Sequence, residues 1–99
     1  MGLGDALYEE MVYGEGQLLN GDSLQYRLPL LQDLPPRFIS IMVENHDGPG
    51  PFGAKGMSQT AVSPIAPAIA NAIYDAVGVR IKALPITPEK ILRGLGKLA

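Results

Sequence analysis

The sequence predicts an α+β chain: a small sheet of short strands, one long alanine-rich helix and two shorter flanking helices. Apolar residues recur at three- and four-residue spacing near the start, in the stretch after Ser63 and near the end, as on the buried stripe of a helix. Between them, residues 37–44 and 79–83 carry the alternation of strands. Gly and Pro, 12 and 9 of the 99 residues, cluster between these segments and mark the breaks. The length suits a single domain over residues 1–99, and such a domain buries about 60–70% of its unfolded surface.

Leu3, Ala6, Leu7 and Met11 share one helical face, and Gly14 is placed to stop the helix. Tyr8, Glu9 and Glu10 fall off that stripe and face solvent. Asn20-Gly21 then predicts a hairpin turn between residues 17–19 and 23–28, because both residues tolerate positive φ. Pro29, Pro35 and Pro36 punctuate the connection that follows. Residues 37–44 (RFISIMVE) form the best strand, with Ile39, Ile41 and Val43 on one face and Phe38, Ser40 and Met42 on the other. Apolar residues on both faces predict cover on both sides.

The long helix begins near residues 63–66, since Pro64 and Pro67 fit only its first turn, and Gly78 ends it. Ile65, Ile69, Ile73 and Val77 form its stripe, flanked by Ala66, Ala70 and Ala76. Val79, Ile81 and Ala83 alternate with Arg80 and Lys82 as a strand with one wet face. Thr87 caps a last helix with Pro88 at its first position and Ile91, Leu92, Leu95 and Leu98 inward. Gly94 and Gly96 weaken it.

Composition excludes several classes. The net charge is −2, which gives no reason to expect nucleic acid as a partner. Residues 1–50 carry net −6 and residues 51–99 net +4, read as solvated faces of different elements. Without cysteine there is no disulfide framework and no thiolate metal site, and a cytoplasmic setting fits. No apolar run approaches the ~20 residues of a membrane span, and no signal peptide is read at the N-terminus. The helical pattern begins almost at once, without a good cap, as in a chain cut from something longer. His46, the one histidine, has no companions at metal-ligand spacing and reads as an exposed loop residue.

Before the long helix runs a glycine-rich loop, Gly53-Ala54-Lys55-Gly56, leading through Ser58-Gln59-Thr60. Backbone amides presented ahead of a helix suit anions. A Walker-type phosphate loop fails on inspection. Gly48 and Gly53 have the right separation, but Ala54 displaces Lys55, Gly56 follows it, and Pro49 and Pro51 remove two amides. Gly48-x-Gly50-x-x-Gly53 matches a dinucleotide fingerprint in letters only, because the helix starts some ten residues later.

Gly53-Ala54-Lys55-Gly56-Met57-Ser58-Gln59, followed by residues 66–76 (APAIANAIYDA), resembles the last conserved block of the molybdenum hydroxylases. These are the large, molybdopterin-binding subunits of the xanthine dehydrogenase and aldehyde oxidoreductase family. Further blocks resemble it in the same order: residues 2–10, 18–21, 26–29, 33–35, 78–81 and 84–92. The family subunit is several times longer, so the resemblance identifies a C-terminal segment. It implies a parent oxidoreductase that hydroxylates aldehydes or N-heterocycles with oxygen from water. The parent would hold molybdopterin-molybdenum and pass electrons to iron–sulfur partners, with or without an FAD subunit or domain. The isolated segment is expected to be inactive, to hold no cofactor and to self-associate.

By position in that resemblance, Lys55, Gly56, Met57 and Ser58 lie on the pterin side, and Gln59 stands where the family places its Glu base. A Gln amide is neutral and does not take up a proton near neutral pH. General-base assistance is typically worth about 10²–10⁴ in rate, so the exchange matters. No Asp or Glu lies between Asp47 and Asp75 to replace it. A base from elsewhere in the parent, a different reaction, or lost activity are the three consequences open. The bland reading is that Gln59 only caps the approach to the helix. A non-catalytic assembly or interaction module derived from the family is the alternative function.

Overall fold

The computed structural model describes residues 1–98. In chain order it contains helix α1 (Gly2–Leu7), strands β1 (Tyr13–Gly14) and β2 (Gln17–Leu18), and helices α2 (Ile65–Val77) and α3 (Pro88–Gly94). Three single turns of 3₁₀ helix, Leu31–Asp33, Pro51–Gly53 and Gln59–Ala61, interrupt the long connection between β2 and α2. Three helices and a small antiparallel sheet agree with the sequence. The sheet is much smaller than expected, two strands of two residues each.

α1 ends earlier than its stripe implied, at Leu7, and leaves Met11 exposed. The Gly4 carbonyl accepts from both Tyr8 and Glu9 amides, at 2.8 and 2.9 Å, which closes the last turn. The buried face is made of Gly2, Gly4 and Ala6. A Cβ on Gly2 would stand 2.7 Å from Ile65 Cβ, so glycine here lets α1 lie directly on α2.

The hairpin lies one turn upstream of its expected position. Glu15 and Gly16 supply the two positive φ angles, 50° and 80°, and Tyr13 pairs with Leu18. Asn20 works as a clamp at the open end: its Oδ1 accepts from the Val12 amide at 2.8 Å and its Nδ2 donates to the Glu10 carbonyl at 2.6 Å. Asp22 then makes its own turn, with Oδ1 accepting from the Leu24 and Gln25 amides.

Neither residues 37–44 nor residues 79–83 form a strand. Both fail for the same reason: no strand edge elsewhere in the described residues meets them. Among the described residues, 37–44 make no backbone hydrogen bond, and they are exposed throughout. In the second segment Val79 packs onto Gly94 of α3, and a turn at residues 83–85 follows. The Lys90 ammonium ties that turn down, donating to the carbonyls of Ala83, Leu84 and Pro85 at 3.4, 3.2 and 2.8 Å.

α2 starts and stops as its prolines and Gly78 require, with Gly78 left-handed at φ 73° and donating to the Tyr74 carbonyl. Arg80 folds back on it, stacking 3.9 Å over the Tyr74 ring and donating to Asn71 Oδ1 at 2.8 Å. Thr87 caps α3 through its side-chain oxygen. A bond from its own backbone amide and a lesser one from the Thr87 hydroxyl hold the Glu89 carboxyl below its ordinary range.

Burial is sparse. Ala6, Val79, Pro85 and Ile86 are the buried apolar side chains larger than glycine among the described residues, with Ala6 fully enclosed. The Ile86 amide donates to the Ala6 carbonyl at 2.7 Å and ties the C-terminal segment to α1. Everything else is spread out. The radius of gyration is 17.4 Å, against about 13 Å for a compact chain of 100 residues. The accessible surface is 8349 Å², where a folded monomer of this mass exposes roughly 5,400 Å².

Gly94 gives a test of packing against propensity. Ala favours a helix over Gly by about 1 kcal/mol, yet a Cβ there runs into Val79 Cγ1. Overpacking of this kind costs about 1–3 kcal/mol. Gly94→Ala is therefore expected to lower the urea midpoint of far-UV ellipticity, and a raised midpoint would show that Val79 is not seated on α3.

Candidate functional site

The glycine loop is built by close backbone approach. The Gly50 amide donates to the Ala54 carbonyl, the Gly53 amide to Gly50 and the Ala54 amide to Pro51, each at 3.1 Å. Gly53 takes φ 78° and lies against His46, whose carbonyl oxygen would be 2.6 Å from a Cβ at that position. A side chain on Gly48 would strike the carbonyls of Gly53 and Ala54. The loop therefore folds on itself and brings His46 beside Lys55.

This closure spends the amides of Gly50, Gly53 and Ala54 internally. The amides of residues 55–60 are different: among the described residues they donate to no backbone carbonyl. Six consecutive donors thus follow a closed loop, so the part able to meet an anion lies C-terminal to the glycine pair Gly48 and Gly50. Gly56 adds room, because nothing stands within 4 Å of a Cβ placed on it. No contact among the described residues requires glycine there.

The five candidate residues do not share one surface. Lys55, Gly56 and Met57 line an open groove of about 460 Å³ with Val43, Glu44, Asn45 and His46. Ser58 turns to the other side, into an apolar groove of about 590 Å³ with Phe38, Ala61, Val62 and Ile65. Gln59 is exposed and opens the turn Gln59–Ala61, for which Ser58 is the N-terminal residue. No side-chain hydrogen bond caps that turn, which removes the simplest purely local use for this polar pair.

Ser58 is also strained, with φ 84° and ψ −52°. For a residue with a Cβ such a conformation is rare and costs on the order of 1–3 kcal/mol. Glycine, which has no Cβ, takes such a backbone at little cost. Phe52, at φ 58° and fully exposed between Pro51 and Gly53, is the feature that sequence reasoning missed. An aromatic residue inside a Gly/Pro loop, with no apolar neighbour in sequence, was the available signal.

For a pterin-type group the fit is one-sided. The free amides and the space at Gly56 suit one face of a ligand rich in hydrogen-bond acceptors. Among the described residues, no three His, Cys, Asp or Glu side chains come together as metal ligands. No helix among them is long and apolar enough to cross a membrane.

Comparison with known proteins addresses the family. No protein-family model matches the chain. It is 42% identical over 97 residues to the probable hypoxanthine oxidase XdhD of Escherichia coli, covering 97% of this chain and 10% of that protein. It is 38% identical over 93 residues to the putative xanthine dehydrogenase molybdenum-binding subunit XdhA of the same organism, covering 92% of this chain and 12% of that subunit. Identity to its aldehyde oxidoreductase molybdenum-binding subunit PaoC is 34% over 94 residues, covering 93% of this chain and 13% of that subunit. The chain is homologous to a segment of molybdenum hydroxylase large subunits. The chain spans little more than a tenth of the length of the relatives it matches.

Ser58→Gly is expected to relieve the loop and raise stability by about 1 kcal/mol, after allowing for the extra freedom of glycine in the unfolded chain. A urea titration reads this directly; an unchanged or lower midpoint would mean that Ser58 is not held at positive φ.

Proposed function

We propose that these residues are the C-terminal part of a molybdenum hydroxylase large subunit and form one wall of its cofactor pocket. Lys55, Gly56, Met57 and Ser58 stand on the pterin side, and Gln59 occupies the position of the family's base. What carries this reading is the run of unbonded amides at residues 55–60, in a chain homologous along nearly its whole length to such subunits. The parent would be a cytoplasmic oxidoreductase acting on aldehydes or N-heterocycles.

When bound, the molybdenum–pterin group supplies the oxygen-transfer and two-electron redox chemistry of a hydroxylation. This chain's own share is binding and positioning. Its amides donate hydrogen bonds to cofactor acceptors, Gly56 leaves space for close approach, and Lys55 contributes a positive charge to the groove edge. Gln59 can donate or accept a hydrogen bond there, and it does not remove a proton. With Gln59 in that position, this chain supplies no base for proton removal. The rest of that subunit would supply the remaining pocket walls, and iron–sulfur partners, with or without an FAD unit, would serve as electron acceptors.

The alternative, a non-catalytic assembly module, is favoured by one observation, the amide in place of the base. Gln59→Glu in the full-length parent separates the two. Restoring a carboxylate is expected to raise turnover of an aldehyde or heterocycle by on the order of 10²–10⁴. An unchanged profile across a panel of both substrate classes would remove Gln59 from the reaction. The isolated chain is expected to bind no stoichiometric molybdenum, since a pterin needs enclosing contacts; a metal content near one per chain would overturn the need for the rest of the subunit. Its exposed apolar surface is expected to drive self-association at high concentration, read by sedimentation.

A further inference from the structure

We propose that residues 37–44 are a strand whose partners lie in the rest of the large subunit, which inserts them into a sheet covered on both faces. The inference rests on the proposal that the chain is part of such a subunit, and it names the surface through which the two parts join.

Three observations converge on this segment. Its eight residues form no helix, turn or bend and as a strand would span about 26 Å, and among the described residues none of its amides or carbonyls is bonded. Its side chains are apolar on both faces and stand in water: Phe38 is 71% exposed, Ile41 80%, Met42 76% and Val43 84%. Its charges, Arg37 and Glu44, sit at the two ends, so the six central residues carry none. Interior strands of covered sheets have this composition, whereas strands at a wet edge alternate apolar with polar residues.

The occupant follows from what the pattern demands. A second copy pairing antiparallel about a two-fold axis would satisfy one edge and leave both apolar faces of a two-stranded ribbon bare, an arrangement that is marginal in water. Cover on both faces needs further layers. The matched relatives run some eight to ten times longer than this chain, so the parent subunit has the chain length to supply both neighbouring strands and those layers.

Hydrogen exchange tests the assignment, comparing the isolated chain at a concentration where sedimentation shows monomer with the full-length subunit. Amides 38–43 are expected to exchange like an exposed loop in the isolated chain and at least about a hundredfold more slowly in the subunit. Ile41→Pro, which removes one ladder donor, should leave the far-UV spectrum of the isolated chain unchanged and prevent accumulation of folded subunit. Ile41→Val should preserve both. Fast exchange of this segment in a subunit that still holds its cofactor would overturn the inference and leave the proposed function standing. Protection that arises in the isolated chain through dimers, and is no greater in the subunit, would assign the strand to a second copy instead. A reading frame that does not extend into a large subunit would overturn both proposals.

Discussion

The hydrogen bond from the Ile86 amide to the Ala6 carbonyl, 2.7 Å long, is the point on which the rest of the arrangement turns. It joins residues 80 positions apart and satisfies a carbonyl in the last turn of α1 that has no intrahelical partner. The two residues it joins are buried, as are Pro85 next to Ile86 and Val79 against Gly94. α1 can reach this position because Gly2 admits Ile65 of α2 to near backbone contact. α3 is held on the same side by Val79 seated on Gly94 and by the Lys90 ammonium on three consecutive carbonyls. Small residues and backbone bonds, rather than interlocking large side chains, make this junction.

From that junction the long connection swings outward. Between β2 and α2 the chain forms local turns: an Asx turn at Asp22, the 3₁₀ turns, and the self-closing loop around Gly53. Each satisfies its own backbone groups over a few residues, and none builds a second core. Large apolar side chains along this connection, from Leu24 through Phe38 to Met57, remain in water. Exposed apolar surface on this scale belongs to interfaces, and the homology to a small fraction of much longer subunits gives it a context.

The functional loop shows how a local fold divides labour. Its first half consumes its amides in closing, with Gly48, Gly50 and Gly53 permitting backbone to touch backbone. Its second half, residues 55–60, keeps its amides free and presents them beside a groove. The strained Ser58 backbone marks the boundary between the two grooves and leads directly into Gln59. A carboxylate in place of that amide would differ in one respect that matters to the chemistry, its capacity to take a proton.

Much of this was legible in the sequence, and what was not has one physical cause. Helix α2, its proline-bearing start and its Gly78 stop, the Thr87 cap and the family homology all rest on neighbouring residues, and the sequence by itself determined them. Local chemistry misled where two turns competed, since Glu15-Gly16 took the hairpin and Asn20 became its clamp, and where α1 stopped at Leu7 short of Met11 and Gly14. Strands are another matter, because a strand exists only when a second edge bonds to it. Residues 37–44 and 79–83 carry the right alternation and find no such edge among the described residues, so only the tertiary structure could show that they stand unpaired here. The same holds for the site. Lys55, Gly56, Met57, Ser58 and Gln59 are adjacent in sequence, but which of them share a groove depends on the closure of the loop onto His46.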